Sequence, residues 1–262
     1  MVQILQLTDL HLFRAPDILL RGVATRDSLQ QVVHHIQAQG FQPDHLVITG
    51  DHTHDEHPES YEAVATLLQP WRDRLWQIPG NHDDRTVLRR VFSDRVAAGT
   101  AEQPVNFAFE AGNWLCLGLD THLPGSVAGR IGAAQVDWAR RTVLGCAAEN
   151  VALFCHHPPV KLGSVWMDAI GLEGREMLEL WCAAEPRIRL ICCGHVHHEF
   201  CTTLGHAVVL SAPSTGVQFS PRGDVPTFVQ GAPGYRILEL SERGFSTRVE
   251  RIPLLTVPQP PG

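Results

Sequence analysis

The sequence predicts one α/β domain, in which short strands alternate with helices before the chain turns to strands alone. The chain has 262 residues, and 44% of them are hydrophobic. That is enough to bury a large core and fits one large domain better than two small ones. We therefore expect a single domain over 1–257 and a disordered tail at 258–262.

Five apolar runs predict strands, and a group of polar residues follows each of them. The runs are 2–7, 46–48, 75–78, 151–155 and 190–193. Their alternation with helical segments is typical of a sheet whose strands are joined by crossover helices. Ligands that follow such strands are expected to converge on one edge of the sheet.

The segments between these runs show helical periodicity. Apolar residues repeat at helical spacing at Leu29, Val32, Val33 and Ile36. Gly40 follows, a residue that suits the C-terminus of a helix. Further helices are predicted at 59–68, 133–144 and 173–183.

After His197 the pattern changes to strands without helices between them. Runs at 207–210, 235–240 and 245–252 predict a second sheet packed on the first. The segment 220–233 contains several prolines and glycines, and it predicts an irregular loop.

The composition argues against nucleic-acid binding, export and membrane insertion. The net charge of −7 gives no field of basic side chains for binding nucleic acid. Seven cysteines without paired CxxC spacing indicate reduced, mostly buried thiols. The apolar run at 2–7 is too short for a signal peptide or a membrane span. We therefore expect a soluble cytoplasmic protein that acts on a small molecule, without nucleic-acid or membrane partners.

The polar groups after the five runs form five motifs. They are Asp9-Leu10-His11, Gly50-Asp51, Gly80-Asn81-His82-Asp83, His156-His157-Pro158-Pro159 and Gly194-His195-Val196-His197. The seven proposed metal ligands are Asp9, His11, Asp51, Asn81, His156, His195 and His197. A set of imidazole, carboxylate and amide favours manganese, iron, zinc or cobalt. Two adjacent divalent ions can generate a hydroxide from bound water, so the set predicts hydrolysis of a phosphate ester.

Three of these residues receive particular roles. Asp51 is the expected bridge, because two adjacent dications repel each other and require a shared anionic ligand. Of the two adjacent histidines, His156 is the one expected to bind metal, because it directly extends the strand. His157 is expected to lie beside the ligands or the substrate. His82 is the candidate acid that protonates the leaving alkoxide, with Asp9 or Asp83 fixing its tautomer.

A single histidine is more often structural than a metal ligand, and each motif alone is weak. The five motifs in this order, each at a strand end, favour the metal site as a group. The remaining histidines are interpreted as solvent-facing or structural: His34, His35, His45, His54, His57, His122, His198 and His206.

The five motifs together resemble the calcineurin-like metallophosphoesterases. The segments 156–159, 211–219 and 233–236 are similar, more narrowly, to bacterial class III 3′,5′-cyclic-AMP phosphodiesterases. The resemblance covers most of the chain. One departure is His54, followed by Asp55, where relatives usually carry an aspartate. We expect it to adjust the surroundings of the ligands rather than to prevent metal binding.

The resemblance implies a four-layer α/β/β/α sandwich with mixed sheets and the hydrolysis of 3′,5′-cyclic AMP to 5′-AMP by a metal-bridging hydroxide. It implies one metal held by Asp9, His11, Asp51 and His197. It implies a second metal held by Asp51, Asn81, His156 and His195. The bound phosphate would lie against His11, Asp51, Asn81, His82 and His197. Iron paired with manganese or zinc, and a homodimer, are common in the family.

Other functions remain open at this stage. A broader phosphodiesterase could act on glycerophosphodiesters or 2′,3′-cyclic nucleotides, because a metal centre contacts only the phosphate group of its substrate. A non-catalytic scaffold of the same fold has no reason to keep all seven ligands and His82. A nuclease would need an extended basic groove, which this acidic chain does not offer.

Overall fold

The computed structural model describes residues 1–220 and 223–253. The expected tail at 258–262 lies outside the described residues. Within them, no helix combines the length and the apolar character needed to cross a membrane.

Strands make up much of the described chain. In order they are β1 (Val2–Leu7), β2 (His45–Thr49), β3 (Leu75–Ile78), β4 (Phe107–Ala111), β5 (Trp114–Leu119), β6 (Gly129–Arg130), β7 (Asn150–Cys155), β8 (Leu172–Glu173), β9 (Ile188–Cys193), β10 (Cys201–Leu204), β11 (Ala207–Ser211), β12 (Gln218–Phe219), β13 (Phe228–Val229), β14 (Gly234–Ser241) and β15 (Gly244–Arg251). The helices are α1 (Thr25–Ala38), α2 (Pro58–Leu67), α3 (Arg85–Val91), α4 (Ala133–Leu144), α5 (Val165–Ala169) and α6 (Arg175–Ala184), with a 3₁₀ helix at Gln69–Arg74.

Two mixed sheets form the centre of the fold. The first has the strand order β15-β14-β1-β2-β3, and the second has the order β10-β11-β9-β7-β5-β4. Strands β1, β2 and β3 are parallel, and β14 runs antiparallel to β1. In the second sheet β5, β7, β9 and β11 are parallel, while β4 and β10 pair antiparallel at its two edges.

The predicted division of strands between the sheets is wrong. Strands β14 and β15 extend the sheet of β1 to β3, whereas β11 pairs with β9. The five strands that precede the motifs are therefore divided between the two sheets. A local pattern of strand-forming residues does not depend on which sheet the strand joins, so the sequence identifies strands without identifying their partners.

Two smaller predictions also need correction. Helix α6 begins at Arg175 rather than at 173, because Glu173 pairs with Arg130 between β8 and β6. Gly174 separates this strand from the helix in a left-handed conformation with φ of 78°. The segment 220–233, expected to be irregular, contains strand β13, which pairs with β12.

Three apolar clusters fill the spaces between the layers. The inner cluster joins Ile4 and Val47 of the first sheet to Phe154 of the second. On the outer faces, the cluster around Leu5 includes residues of α1 and α2, and the cluster around Leu153 includes residues of α4 and α6. Successive residues of a strand face opposite sides, so both faces of each sheet are covered. The predicted four-layer α/β/β/α sandwich is confirmed.

A buried ion pair joins α3 to the end of β5. Arg85 Nε and Nη2 donate to the two carboxylate oxygens of Asp120 at 2.6 and 2.9 Å. The Asp120 side chain is fully buried and also accepts from the amides of Val105 and His122. We expect Asp120→Ala to lower the free energy of unfolding by about 3–5 kcal/mol, because Arg85 keeps a buried charge without its partner.

Urea denaturation measures this change, and an exposed pair provides the control. Arg130 and Glu173 form a salt bridge with side chains 57% and 54% exposed. Arg130→Ala should change stability by roughly 1 kcal/mol or less. Equal losses of unfolding free energy in Asp120→Ala and Arg130→Ala would contradict a structural role for the buried pair.

Candidate metal centre

The motif residues follow strands of both sheets. Asp9, Asp51 and Asn81 follow β1, β2 and β3 of the first sheet, while His156 and His195 follow β7 and β9 of the second. The ends of the two groups of strands meet, and the expected ligands converge there. The convergence occurs between two sheets rather than along the edge of one.

Several candidate ligands have an unusual backbone conformation. Asp9, His11, Asp51, His195 and His197 have φ values between 48° and 71°. The left-handed region is costly for residues with a Cβ, and such strain gathers at functional sites where the surrounding structure maintains it. The turns after the strands therefore set the direction of these side chains.

The loop glycines leave room for the ligands. A Cβ on Gly80 would lie 2.1 Å from Asp51 Oδ1, and a Cβ on Gly50 would lie 2.5 Å from His156 Nδ1. Gly50 also has φ of 95°. Glycine is therefore required by close approach at both positions, and at Gly50 also by the backbone conformation.

One group of ligands surrounds the first candidate metal position. The ligand atoms of Asp9, His11, Asp51 and His197 all lie within 4.8 Å of one another. His11 Nε2 and His197 Nε2 are 3.0 Å apart, and His197 Nε2 lies 3.4 Å from Asp9 Oδ1. His11 Nε2 lies 3.4 Å from Asp51 Oδ2. These are the four residues that the resemblance assigns to one metal.

The second group surrounds Asn81. Its Oδ1 atom lies 3.1 Å from His156 Nε2 and 3.0 Å from His195 Nδ1. Asp51 Oδ2 lies 3.5 Å from His156 Nε2. One carboxylate oxygen of Asp51 therefore contacts a histidine of each group, which is the position expected of a bridging ligand.

Backbone carbonyls orient three of the histidines. His156 Nδ1 and His197 Nδ1 donate to the carbonyl oxygens of Thr49 and Val217, both at 2.7 Å. His195 Nε2 donates to the carbonyl oxygen of Ile170 at 3.2 Å. In a neutral ring the other nitrogen then carries a lone pair, and in each case it faces a ligand group.

The donor set fits divalent cations. With the imidazoles neutral, the inward-facing ring nitrogens, the carboxylates and Asn81 Oδ1 would all be acceptors. Acceptors at these distances repel unless a cation, either a metal ion or a proton on His156, lies among them. Nitrogen and oxygen ligands without a thiolate match the first-row metals. The groups around Asp9 and Asn81 can therefore each hold one divalent ion.

The electrostatics of the site also favour cations. Burial opposes ionisation of Asp51, but His156 and His11 hold the pKa of its carboxyl well below the usual value. Burial lowers the pKa of His195 to about 3. Burial likewise opposes a charge on His156, but the neighbouring Asp51 carboxylate raises the pKa of this imidazole to about 9. The ionised acids create the negative potential that attracts positive charge to the centre.

His157 has protein partners at both ring nitrogens. Nδ1 lies 2.8 Å from Thr121 Oγ1, and Nε2 donates to the carbonyl oxygen of Val127 at 3.0 Å. The ring is buried beside His156 and His195, with its centroid 4.5 Å from that of His195. These contacts support the choice of His156 as the ligand.

His82 lies beside the first group of ligands. Its backbone amide donates to Asp51 Oδ1 at 2.9 Å. Its ring meets the ring of His11 edge to face at 5.1 Å and stacks on His54 at 4.5 Å. Both His82 and His54 line the cleft of about 200 Å³ that opens onto the ligands.

The expected partner for the His82 ring is wrong. Asp83 binds the amides of Gly80 and His52 together with the Tyr61 hydroxyl. Asp9 accepts from the amide of His195. Asp83 also lies 3.0 Å from the His52 ring, and Asp9 lies 3.4 Å from the ring of the candidate ligand His197. The His82 ring packs against His54 instead.

Residues 2–199 match the family model described as Calcineurin-like phosphoesterase. The chain belongs to this family. The match includes all five motifs, from Asp9 to His197.

Curated relatives resemble the chain over nearly its whole length. A 3′,5′-cyclic adenosine monophosphate phosphodiesterase, CpdA, from Pseudomonas aeruginosa is 34% identical over 96% of this chain and 90% of the relative. The CpdA of Escherichia coli (strain K12) is 32% identical over the same shares. A 3′,5′-cyclic-nucleotide phosphodiesterase from Nostoc is 28% identical over 96% of this chain and 93% of the relative.

Solved structures share the fold at low sequence identity. A dimetal phosphatase from Danio rerio has a TM-score of 0.64 at 14% identity, covering 94% of this chain and 98% of the other. Purple acid phosphatase PPD1 from yellow lupin has a TM-score of 0.68 at 10% identity, covering 95% and 51%. These similarities establish the calcineurin-like fold.

Sequence reasoning missed the position of His54 in this calcineurin-like phosphoesterase. The sequence groups His54 with the solvent-facing or structural histidines, and the resemblance predicts only that it adjusts the surroundings of the ligands. In the structure its Nδ1 atom lies 3.2 Å from Nδ1 of the candidate ligand His11. With His11 and His82 it forms a third group of imidazoles whose nitrogens lie within 4.8 Å. The available signal is its place three residues after Asp51, in the same loop as that candidate ligand.

Proposed function

We propose that this phosphoesterase hydrolyses 3′,5′-cyclic AMP to 5′-AMP at a centre of two divalent metal ions. The observation that carries the proposal is the position of Asp51 Oδ2, which lies 3.4 Å from His11 Nε2 and 3.5 Å from His156 Nε2. The substrate is supported by the cyclic-AMP phosphodiesterases among the relatives, which align over 96% of this chain.

Two sets of ligands share Asp51. The first metal would be held by Asp9, His11, Asp51 and His197. The second would be held by Asp51, Asn81, His156 and His195. When bound, two divalent ions neutralise phosphoryl oxygens and lower the pKa of a water molecule so that it can act as the nucleophile. Iron paired with manganese or zinc is the metal content that the family resemblance implies.

The protein's own groups position the reactants and move the proton. A water molecule releases one proton to solvent and adds to phosphorus, the bond between phosphorus and O3′ breaks, and the 3′ oxygen takes up a proton. His82 lines the cleft beside the ligands and would donate that proton. Its backbone amide holds Asp51, while the carbonyl oxygens of Thr49 and Val217 fix the directions of His156 and His197.

His157→Ala should leave at least one metal bound, because both nitrogens of His157 bind protein groups. His156→Ala is the matched comparison, and it should lose one metal per chain. Mass spectrometry of protein purified without chelator measures both the content and the identity of the metals. Loss of all metal from a folded His157→Ala protein would contradict the assignment of His156.

Rates on a panel of substrates test the reaction itself. After metal reconstitution, the rate with 3′,5′-cyclic AMP should exceed the rates with 2′,3′-cyclic AMP and with a glycerophosphodiester. Cyclic GMP in the same panel measures the preference for the base. Equal low rates on all four substrates would remove the support for cyclic AMP.

A further inference from the structure

An aromatic wall lies directly beside the ligand group. The ring of Phe219 packs on the imidazole of His197 with a centroid separation of 4.4 Å. Phe228 is the cross-strand partner of Phe219 between β12 and β13, and their rings are 4.8 Å apart. Trp166 of α5 meets Phe219 edge to face at 5.4 Å. All three aromatic residues line the cleft that the metal ligands also line.

A planar cation covers part of this wall. The guanidinium of Arg21 lies 4.5 Å from the centroid of the Phe228 ring, and Arg21 also lines the cleft. Arginine and aromatic rings both stack on flat heterocycles, and such stacking tolerates different bases. A quaternary ammonium group would also suit aromatic faces, but the charge of Arg21 would repel it here.

We propose that Phe219, Phe228, Trp166 and Arg21 form a subsite that binds the base of a nucleotide whose phosphate lies at the metal centre. This inference rests on the proposed function, because it takes the phosphate position from that reaction. The base of a nucleotide is one sugar ring away from its phosphate, and the wall begins at His197, a candidate metal ligand. The subsite would therefore select nucleotides over diesters of glycerol or choline.

Phe228 is the best position for a test. Within the described residues, the ring of Phe228 contacts Phe219 and Arg21, whereas Phe219 also packs on His197. Phe228→Leu keeps an apolar side chain but removes the ring from the wall. Phe228→Trp keeps an aromatic face. Phe245→Leu is the matched control, because Phe245 packs on Trp114 and does not line the cleft.

Binding of 5′-AMP and of ribose 5-phosphate isolates the contribution of the base. Both carry the same sugar and phosphate, and calorimetry on the metal-reconstituted protein gives each dissociation constant. In the natural protein 5′-AMP should bind more tightly. Phe228→Leu should lower the ratio of the dissociation constant of ribose 5-phosphate to that of 5′-AMP by about 5- to 100-fold, since the free energy of stacking one base corresponds to a change of that size. Phe228→Trp and Phe245→Leu should keep the ratio.

The outcomes separate this inference from the proposed function. A ratio near unity in the natural protein would overturn the base subsite even if cyclic AMP is hydrolysed. A ratio in Phe228→Leu equal to that of the natural protein would overturn it too. Tighter binding of glycerophosphocholine than of 5′-AMP would overturn it as well. A base-dependent ratio in a protein that does not hydrolyse cyclic AMP would leave the subsite standing and refute the proposed reaction.

Discussion

Asp51→Ala is expected to abolish two-metal occupancy and to lower turnover of cyclic AMP by at least about 10³-fold. The carboxylate contacts histidines of both ligand groups, so its removal takes one ligand from each proposed metal. It also removes the anion that shields two dications from each other. Loss of the charge stabilisation that metals supply, several kcal/mol, corresponds to a rate effect of this order.

Asp51→Asn refines this experiment. The amide keeps the shape of the side chain but removes its charge, so metal content should still fall below two per chain. Asp73→Ala is the control, since Asp73 is an exposed acid with a side chain 75% accessible. Two metals per chain and full activity in both Asp51 variants would contradict the bridging role.

His82→Ala is expected to lower kcat on cyclic AMP by about 10²- to 10⁴-fold, the usual contribution of a general acid. The leaving group in cyclic AMP is an alkoxide, which requires a proton. A diester that releases 4-nitrophenolate does not, so its kcat should fall by roughly tenfold or less. The amide of residue 82 still donates to Asp51 in the variant, and metal content should therefore be retained.

Comparison of the two substrates distinguishes acid catalysis from a structural effect. His206→Ala, a substitution at an exposed histidine, should change neither rate. Unchanged turnover of both diesters in His82→Ala would refute the acid role. Equal losses on both substrates would show that His82 positions the phosphate rather than protonating the leaving group.

The motifs that carry the candidate ligands could be located from the sequence because each of them follows a predicted strand. Asp9, Asp51 and His156 come after apolar runs, and buried strands are among the clearest signals in a sequence. One polar residue at a strand end is ordinary, but five polar motifs that each follow a predicted strand indicate one shared site. The family and its sandwich fold followed from the same motifs and are confirmed.

The partition of strands and the surroundings of the ligands could not be predicted. Strands β11 and β14 both come from runs that predict a strand, but long-range pairing places them in different sheets. His54 reaches His11 only through the conformation of the loop after Asp51. The carbonyl of Val217 that orients His197 belongs to a distant segment of the chain. Contacts of this kind depend on tertiary packing, which local patterns do not encode.

Titration of demetallated protein with Mn²⁺ tests the two-metal reaction most directly. Bound metal is measured by mass spectrometry and hydrolysis of cyclic AMP is followed in the same samples. We expect turnover to be lost on demetallation and to return fully as occupancy reaches two ions per chain. Full activity in the metal-free protein, or at one ion per chain, would contradict hydrolysis at a centre shared through Asp51.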